Sequence, residues 1–129
     1  MSIVIEVLKN LLRRPATIEY PKKSTDIEAD ARGAQYPDLR KCIGCSLCAL
    51  ECPSKAIAMK KLPEDKKPPQ NKRGLYPVID YRSCIFCYRC VRVCPVNAYI
   101  VSNEYRLATF DQITSEELSL RTLEMKSGV

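Results

Sequence analysis

Eight cysteines carry the chemistry that is legible in this chain of 129 residues. Cys42, Cys45, Cys48 and Cys52 stand at the spacing C-x2-C-x2-C-x3-C with Pro53 after them. Cys84, Cys87, Cys90, Cys94 and Pro95 repeat the pattern, and no cysteine is left over. Two such runs are the spacing of a protein that holds two 4Fe-4S clusters. A cubane offers four iron corners, and each takes one thiolate. Two residues between cysteines let one tight loop wrap three corners, with its backbone N–H groups turned toward the sulfides. The fourth cysteine has started down a helix, points away, and in two-cluster proteins reaches the other cluster. The expected ligand sets are therefore crossed: Cys42, Cys45, Cys48 and Cys94 for one cluster, and Cys84, Cys87, Cys90 and Cys52 for the other.

Other uses of cysteine fit this pattern less well. Zinc sites pair two C-x2-C hooks across a longer gap, whereas here three cysteines at x2 spacing run into C-P. A disulfide framework belongs to secreted chains, and no signal peptide with a small-residue cleavage site opens the sequence. One cluster beside a degenerate site would require a lost ligand, and both runs keep all four. With no histidine in the chain, histidine acid–base chemistry, histidine-ligated haem and Rieske-type ligation are excluded. The residues offer no substrate pocket and no catalytic side chains, so the redox chemistry falls to the cofactors.

The elements that must position these cysteines are themselves duplicated. At an offset of 42 residues, Asp38, Arg40, Ile43 and Ala56 fall on Asp80, Arg82, Ile85 and Ala98. The repeat predicts two related units about a pseudo-twofold axis. Each reads as a short strand, a cluster loop, a short helix and a second strand. Val78–Tyr81 and Tyr99–Val101 are the clearest strand pieces, and Ala49-Leu50 and Val91–Val93 lie on the short helices. The fold class is α+β: a duplicated ferredoxin-like dicluster core with an N-terminal amphipathic helix and extended arms. Two Phe and no Trp leave little bulk for a core. The clusters must supply part of it, and the iron-free chain should be poorly folded.

The formal charge of +6 counts thiols as neutral. Eight thiolates and two cationic cluster cores lower it to about +2, so the basic excess is partly a counterweight to the clusters and argues against a nucleic-acid partner. The most basic stretch lies between the two units: residues 60–73 hold Lys60, Lys61, Lys66, Lys67, Lys72 and Arg73 against Glu64 and Asp65. Pro63, Pro68, Pro69 and Gly74 make it a loop. It reads either as a solvated surface loop or as a docking surface for an acidic partner or neighbouring subunit.

At the N-terminus Val4, Val7, Leu8, Leu11 and Leu12 share one helical face, Ser2 is placed to cap the start, and Pro15 follows the end. The stripe is too short and too charged to span a bilayer. It suits docking on a partner or lying at a membrane interface, against the alternative of folding back on its own core. Residues 16–37 read as an extended tether. Near the other end, Thr114 and Glu117 form a potential capping box for a helix from about Ser115 to Met125, with Leu118, Leu123 and Met125 as sparse apolar positions.

Several stretches together resemble one family. They are the helix running into Leu11-Leu12-Arg13-Arg14-Pro15-Ala16-Thr17, then Tyr20-Pro21, the motifs CIGCSLCALECP and CIFCYRCVRVCP, and Leu107-Ala108-Thr109 before Glu116-Glu117-Leu118. The chain is similar to the two-cluster hydrophilic subunit of respiratory complex I and its relatives. Those relatives include membrane-bound hydrogenases, formate hydrogenlyases and the archaeal sulfane reductase. The long basic insert departs from the pattern, and the short tail sits closer to the compact archaeal complexes.

The resemblance implies an electron-transfer subunit that relays electrons from a donor such as soluble ferredoxin to the subunit carrying the terminal cluster. It also implies that the N-terminal helix lies along a membrane-arm subunit, with the chain peripheral on the cytoplasmic side. The competing function is a free soluble 8Fe ferredoxin shuttling between enzymes. The expected partition is helix and tether over 1–37, dicluster domain over 38–102 with its insert at 60–74, and tail over 103–129.

Overall fold

The computed structural model describes residues 3–124. The elements follow in the order α1 (Ile3–Leu11), β1 (Gln35–Pro37), α2 (Leu47–Leu50), β2 (Ile57–Lys61), β3 (Leu75–Ile79), α3 (Arg89–Val93), β4 (Tyr99–Val101) and α4 (Glu116–Glu124). Each half of the repeat contributes strand, loop, helix and strand. The strands pair across the halves: β1 with β4 and β2 with β3, both antiparallel. Gln35 faces Val101, and Ile57 faces Ile79. The first strand of each unit thus pairs with the last strand of the other, as a twofold arrangement requires.

β1 lies in the stretch the sequence reads as tether. Its residues are Gln35, Tyr36 and Pro37, a polar residue and a proline flanking one tyrosine, so no apolar alternation marks it. Backbone bonds hold it in place. Gly33 N–H donates to the Ser102 carbonyl, and Ser102 N–H to that of Ala34. Gly33 must be glycine for this approach, because a Cβ there would meet the Glu104 carbonyl oxygen at 2.5 Å.

The core is small. One cluster joins Ala34, Cys48, Ile57, Ile79, Tyr81 and Cys90, and a second joins Leu39, Leu62, Tyr76 and Val78. Two of the six residues in the first are cysteines, which ties the core directly to the cysteine runs. α4 closes the second cluster through Leu120 and Leu123. Its buried positions are the small polar Ser119 and Thr122, with Ser115 just before them. They satisfy backbone rather than fill volume: Ile79 N–H donates to Ser115 Oγ at 2.8 Å, and Leu39 N–H to Thr122 Oγ1 at 3.0 Å. Glu117 pairs with Arg121 at 2.6 Å. Ser2 and Met125 lie outside the described residues.

The basic insert starts within β2, whose last residues are Lys60 and Lys61, and only from residue 62 on does it form the β2–β3 connection, with one 3-10 turn over Glu64–Lys66. Two of its lysines meet α4: Lys60 pairs with Glu116 at 2.5 Å and Lys66 with Glu124 at 2.9 Å. Part of the charge run is therefore answered within the chain. α1 behaves differently. It buries none of its residues, and Val4, Val7, Leu8, Leu11 and Leu12 are all exposed. Among the described residues, no helix is long and apolar enough to cross a membrane.

Candidate functional site

Each cysteine run begins in a loop whose backbone is bent the same way. Gly44 and Phe86, Ser46 and Tyr88, and Lys55 and Asn97 occupy matching positions in the two halves, and all six have positive φ. Four of these positions flank the first cysteines of each run. Left-handed residues in such a loop aim successive N–H groups into one concavity, the geometry of an anion or iron–sulfur cradle. Five of the six are not glycine, and strain of this kind collects at functional sites. α2 and α3 then carry Cys48 and Cys90 inward, and both are buried.

The result is two cavities of similar size, about 360 and 290 Å³ including their mouths. The first is lined by Cys42, Cys45, Cys48 and Cys94, the second by Cys84, Cys87, Cys90 and Cys52. The structure therefore brings the sequence-predicted residues together in two groups of four, each drawing its fourth member from the other run. None of the eight is paired in a disulfide. Among the described residues, no three Cys, Asp or Glu side chains gather closely enough to hold a single metal ion; the sulfurs surround a volume, not a point.

The surroundings suit a group that presents sulfur and carries positive charge at its metal corners. Ala56 N–H donates to Cys52 Sγ and Ala98 N–H to Cys94 Sγ, each at 3.3 Å. Phe86 N–H donates to Cys84 Sγ at 3.4 Å. Burial, with repulsion between neighbouring sulfurs, pushes the thiols of Cys42 and Cys48 up and that of Cys90 to about 12. Four thiolates crowded out of water need a cationic centre to stay ionised. Tyr99 lines the first cavity beside Cys48; burial and that sulfur push its pKa up, and its hydroxyl closes no hydrogen bond of ordinary geometry among the described residues. The donor set and the enclosing geometry fit an iron–sulfur cluster in each cavity.

Between the loops and the strands, Asp38 and Asp80 repeat one local device. Each carboxylate accepts the backbone N–H of the arginine two residues on and pairs with its guanidinium. Burial opposes the charge on Asp38, but the bonds from Arg40 outweigh it and hold the pKa below the ordinary carboxylate value. Arg82 does the same for the more exposed Asp80. The cavities also contain residues that the cysteine spacing did not point to. Gln35 and Tyr88 line the second, and Pro77 and Tyr99 the first. The offset of 42 residues would have found two of them, because it maps Gln35 onto Pro77 and so extends the duplication to β1.

Known proteins share this arrangement. Residues 41–98 match the 4Fe-4S dicluster domain family. A stretch of 65 residues is 38% identical to NADH-quinone oxidoreductase subunit I of Protochlamydia amoebophila, covering 46% of this chain and 41% of that one. A stretch of 67 residues is 37% identical to NADH-quinone oxidoreductase subunit 9 of Thermus thermophilus, covering 48% and 37%. Among solved structures, a chain of the membrane-bound sulfane sulfur reductase, an archaeal respiratory membrane complex, superposes with a TM-score of 0.59 and 34% identity. That match covers 87% of this chain and 57% of the other. The chain spans less than half the length of the two curated relatives. It is a small α+β protein whose residues 41–98 match a ferredoxin-like 4Fe-4S dicluster domain, and it resembles the hydrophilic iron–sulfur subunits of the complex I and sulfane reductase superfamily.

Proposed function

We propose that this chain is a non-catalytic electron-wiring subunit of a membrane-bound, energy-converting oxidoreductase complex, and that it holds two 4Fe-4S clusters with crossed ligands. The observation that carries the reading is the pair of cavities, each walled by three cysteines of one run and the fourth of the other. When bound, each cluster supplies one-electron redox chemistry. The chain's own residues do the rest. Cys42, Cys45, Cys48 and Cys94 hold one cluster, and Cys84, Cys87, Cys90 and Cys52 the other. The left-handed loop residues aim N–H groups at the sulfurs. Ile57, Ile79 and Tyr81 pack with Cys48 and Cys90 in one buried cluster and keep water from those two ligands.

The partners in this reading are a donor such as soluble ferredoxin, the subunit carrying the terminal cluster, and a membrane-arm subunit on the cytoplasmic side. α1 supports the last of these. Its apolar stripe has no cover within the described chain, and burying Val4, Val7, Leu8, Leu11 and Leu12 is worth roughly 1.5–3 kcal/mol each if complete. A free 8Fe ferredoxin would have no use for such a helix.

Deleting residues 1–14 tests the assignment. The truncated chain should still bind about eight iron atoms, as two cubanes require, and should no longer sediment with membranes or co-purify with its complex. Normal occupancy of the truncated chain in the complex would place the attachment elsewhere. A native extract in which the full chain elutes alone on gel filtration would favour the soluble shuttle.

A further inference from the structure

One pair of backbone donors to sulfur is matched between the two halves, and the side chains that face the cavities from the first strands are not. Ala56 and Ala98 are equivalent and bond Cys52 and Cys94 at the same 3.3 Å. Gln35 and Pro77 are also equivalent by the offset of 42 residues, and each lines one cavity. Pro77 has no side-chain donor. Gln35 is 1% exposed, and its Nε2 donates to Cys84 Sγ at 3.3 Å. Its other amide atom, Oε1, is buried and has no hydrogen-bond partner among the described residues. Burying half an amide unsatisfied is unfavourable, and a redox role is one of the reasons such a group persists. Its position is fixed from behind, where the Tyr81 hydroxyl donates to the Gln35 carbonyl at 2.8 Å.

We infer that the Gln35 side-chain amide sets the reduction potential of the centre ligated by Cys84, donating to that cysteine's sulfur and leaving the other centre untouched. The inference rests on the proposal that both cavities hold clusters. Adding one electron, supplied by the redox partner and with no proton moved, makes the cysteine sulfurs more negative. The N–H···S bond then strengthens, so it favours the reduced form and raises the potential. With Phe86 N–H also on Cys84 Sγ, that sulfur takes two donors.

The test is a redox titration followed by paramagnetic resonance on the full-length, cluster-loaded chain, with Cys84→Ser used to identify which signal belongs to its centre. Gln35→Leu should lower that centre's ratio of reduced to oxidised form at fixed potential on the order of tenfold, which is about 59 mV for one electron. Gln35→Glu should shift it further in the same direction, because a carboxylate replaces the donor. The other centre should not move. Unchanged potentials in Gln35→Leu, or an equal shift at both centres, would overturn the inference.

A measurement on the unmutated chain covers the case in which the variants do not assemble. Pulsed resonance on chain labelled with nitrogen-15 at glutamine side chains should show an amide nitrogen coupled to the Cys84 centre, and absence of that coupling would refute the inference. Iron and sulfide content of the wild-type chain is read separately. A chain that loads no clusters would defeat the proposed function, whereas a loaded chain with unmoved potentials would defeat only this inference.

Discussion

The two halves of the duplication have the same plan and different surroundings. In the first half, the loop residue between the first two cysteines is Gly44, and the insert leans on it: a Cβ at Gly44 would sit 2.5 Å from Asn71 Oδ1 and 2.8 Å from the Leu75 carbonyl oxygen. In the second half, the equivalent residue is Phe86, which keeps the positive φ and stacks on Tyr81 with ring centroids 6.2 Å apart. The same backbone bend is thus tolerated for opposite reasons. One half removes the side chain to admit a neighbour, and the other uses the side chain to build the core. What is shared is the cysteine spacing and the loop bend that fit a cubane, and what differs records what each half packs against.

Removing the iron should erase the comparison altogether. Cys48 and Cys90 belong to the main core cluster, and the remaining apolar volume is small. Without clusters, residues 38–102 should lose ordered structure in both halves. Circular dichroism of the iron-free chain should show little secondary structure and no cooperative melt; a cooperative thermal transition would mean that the protein core suffices.

The next largest effect separates the halves by ligand. Cys52→Ala should damage the centre of Cys84, Cys87 and Cys90, and Cys94→Ala that of Cys42, Cys45 and Cys48. Paramagnetic resonance of each reduced variant reads which signal survives. Loss of the centre nearest in sequence would uncross the ligands.

Substitutions at the bend come third. Gly44→Ala combines a left-handed φ with two close contacts and should cost about 1–3 kcal/mol. Phe86→Gly relieves the same φ but loses the ring's burial against the core and a stack worth about 0.5–1.5 kcal/mol beyond it, so it should be destabilising as well. Denaturant-induced loss of cluster absorbance measures both variants, and a Gly44→Ala midpoint equal to that of the unmutated chain would show that the insert yields to the added methyl group.

The smallest effect concerns acid. Asp38 has its folded pKa lowered, so its contribution is present above the ordinary value of 3.8 and is lost as pH falls through the folded value. Arg40→Ala removes the guanidinium bonds that help lower it and keeps the backbone N–H bond and the burial, which raises it, so stability should begin to fade at a higher pH. Arg82→Ala should move the acid midpoint less, because the Asp80 side chain is 25% exposed against 4% for Asp38. Acid titration of cluster absorbance compares the two variants.

The cysteine runs, the strand–loop–helix–strand units and α1 could be read from the chain because spacing and periodicity encode them directly. β1 could not, since a three-residue strand containing Gln and Pro carries no alternation and is defined by its partner β4. The sparse apolar residues of α4 do not by themselves predict its docking. It docks instead through the hydroxyls of Ser115 and Thr122, which bond core backbone, and no hydrophobic pattern reports that. Asn71 was hidden among the charges of the insert, although it is fully buried.

The exchange of strands between halves also bears on how the chain is made. Ile57 and Ile79 meet across a single connection, whereas Gln35 and Val101 meet at roughly three times that sequence separation. Closing the longer loop costs about 1 kcal/mol more in chain entropy, for a pairing of only three residues against five. The β2–β3 hairpin can therefore form early, while β1 and β4 come together last. In that order the nascent chain offers all eight thiols to whatever delivers iron and sulfide before the last pairing shuts them in.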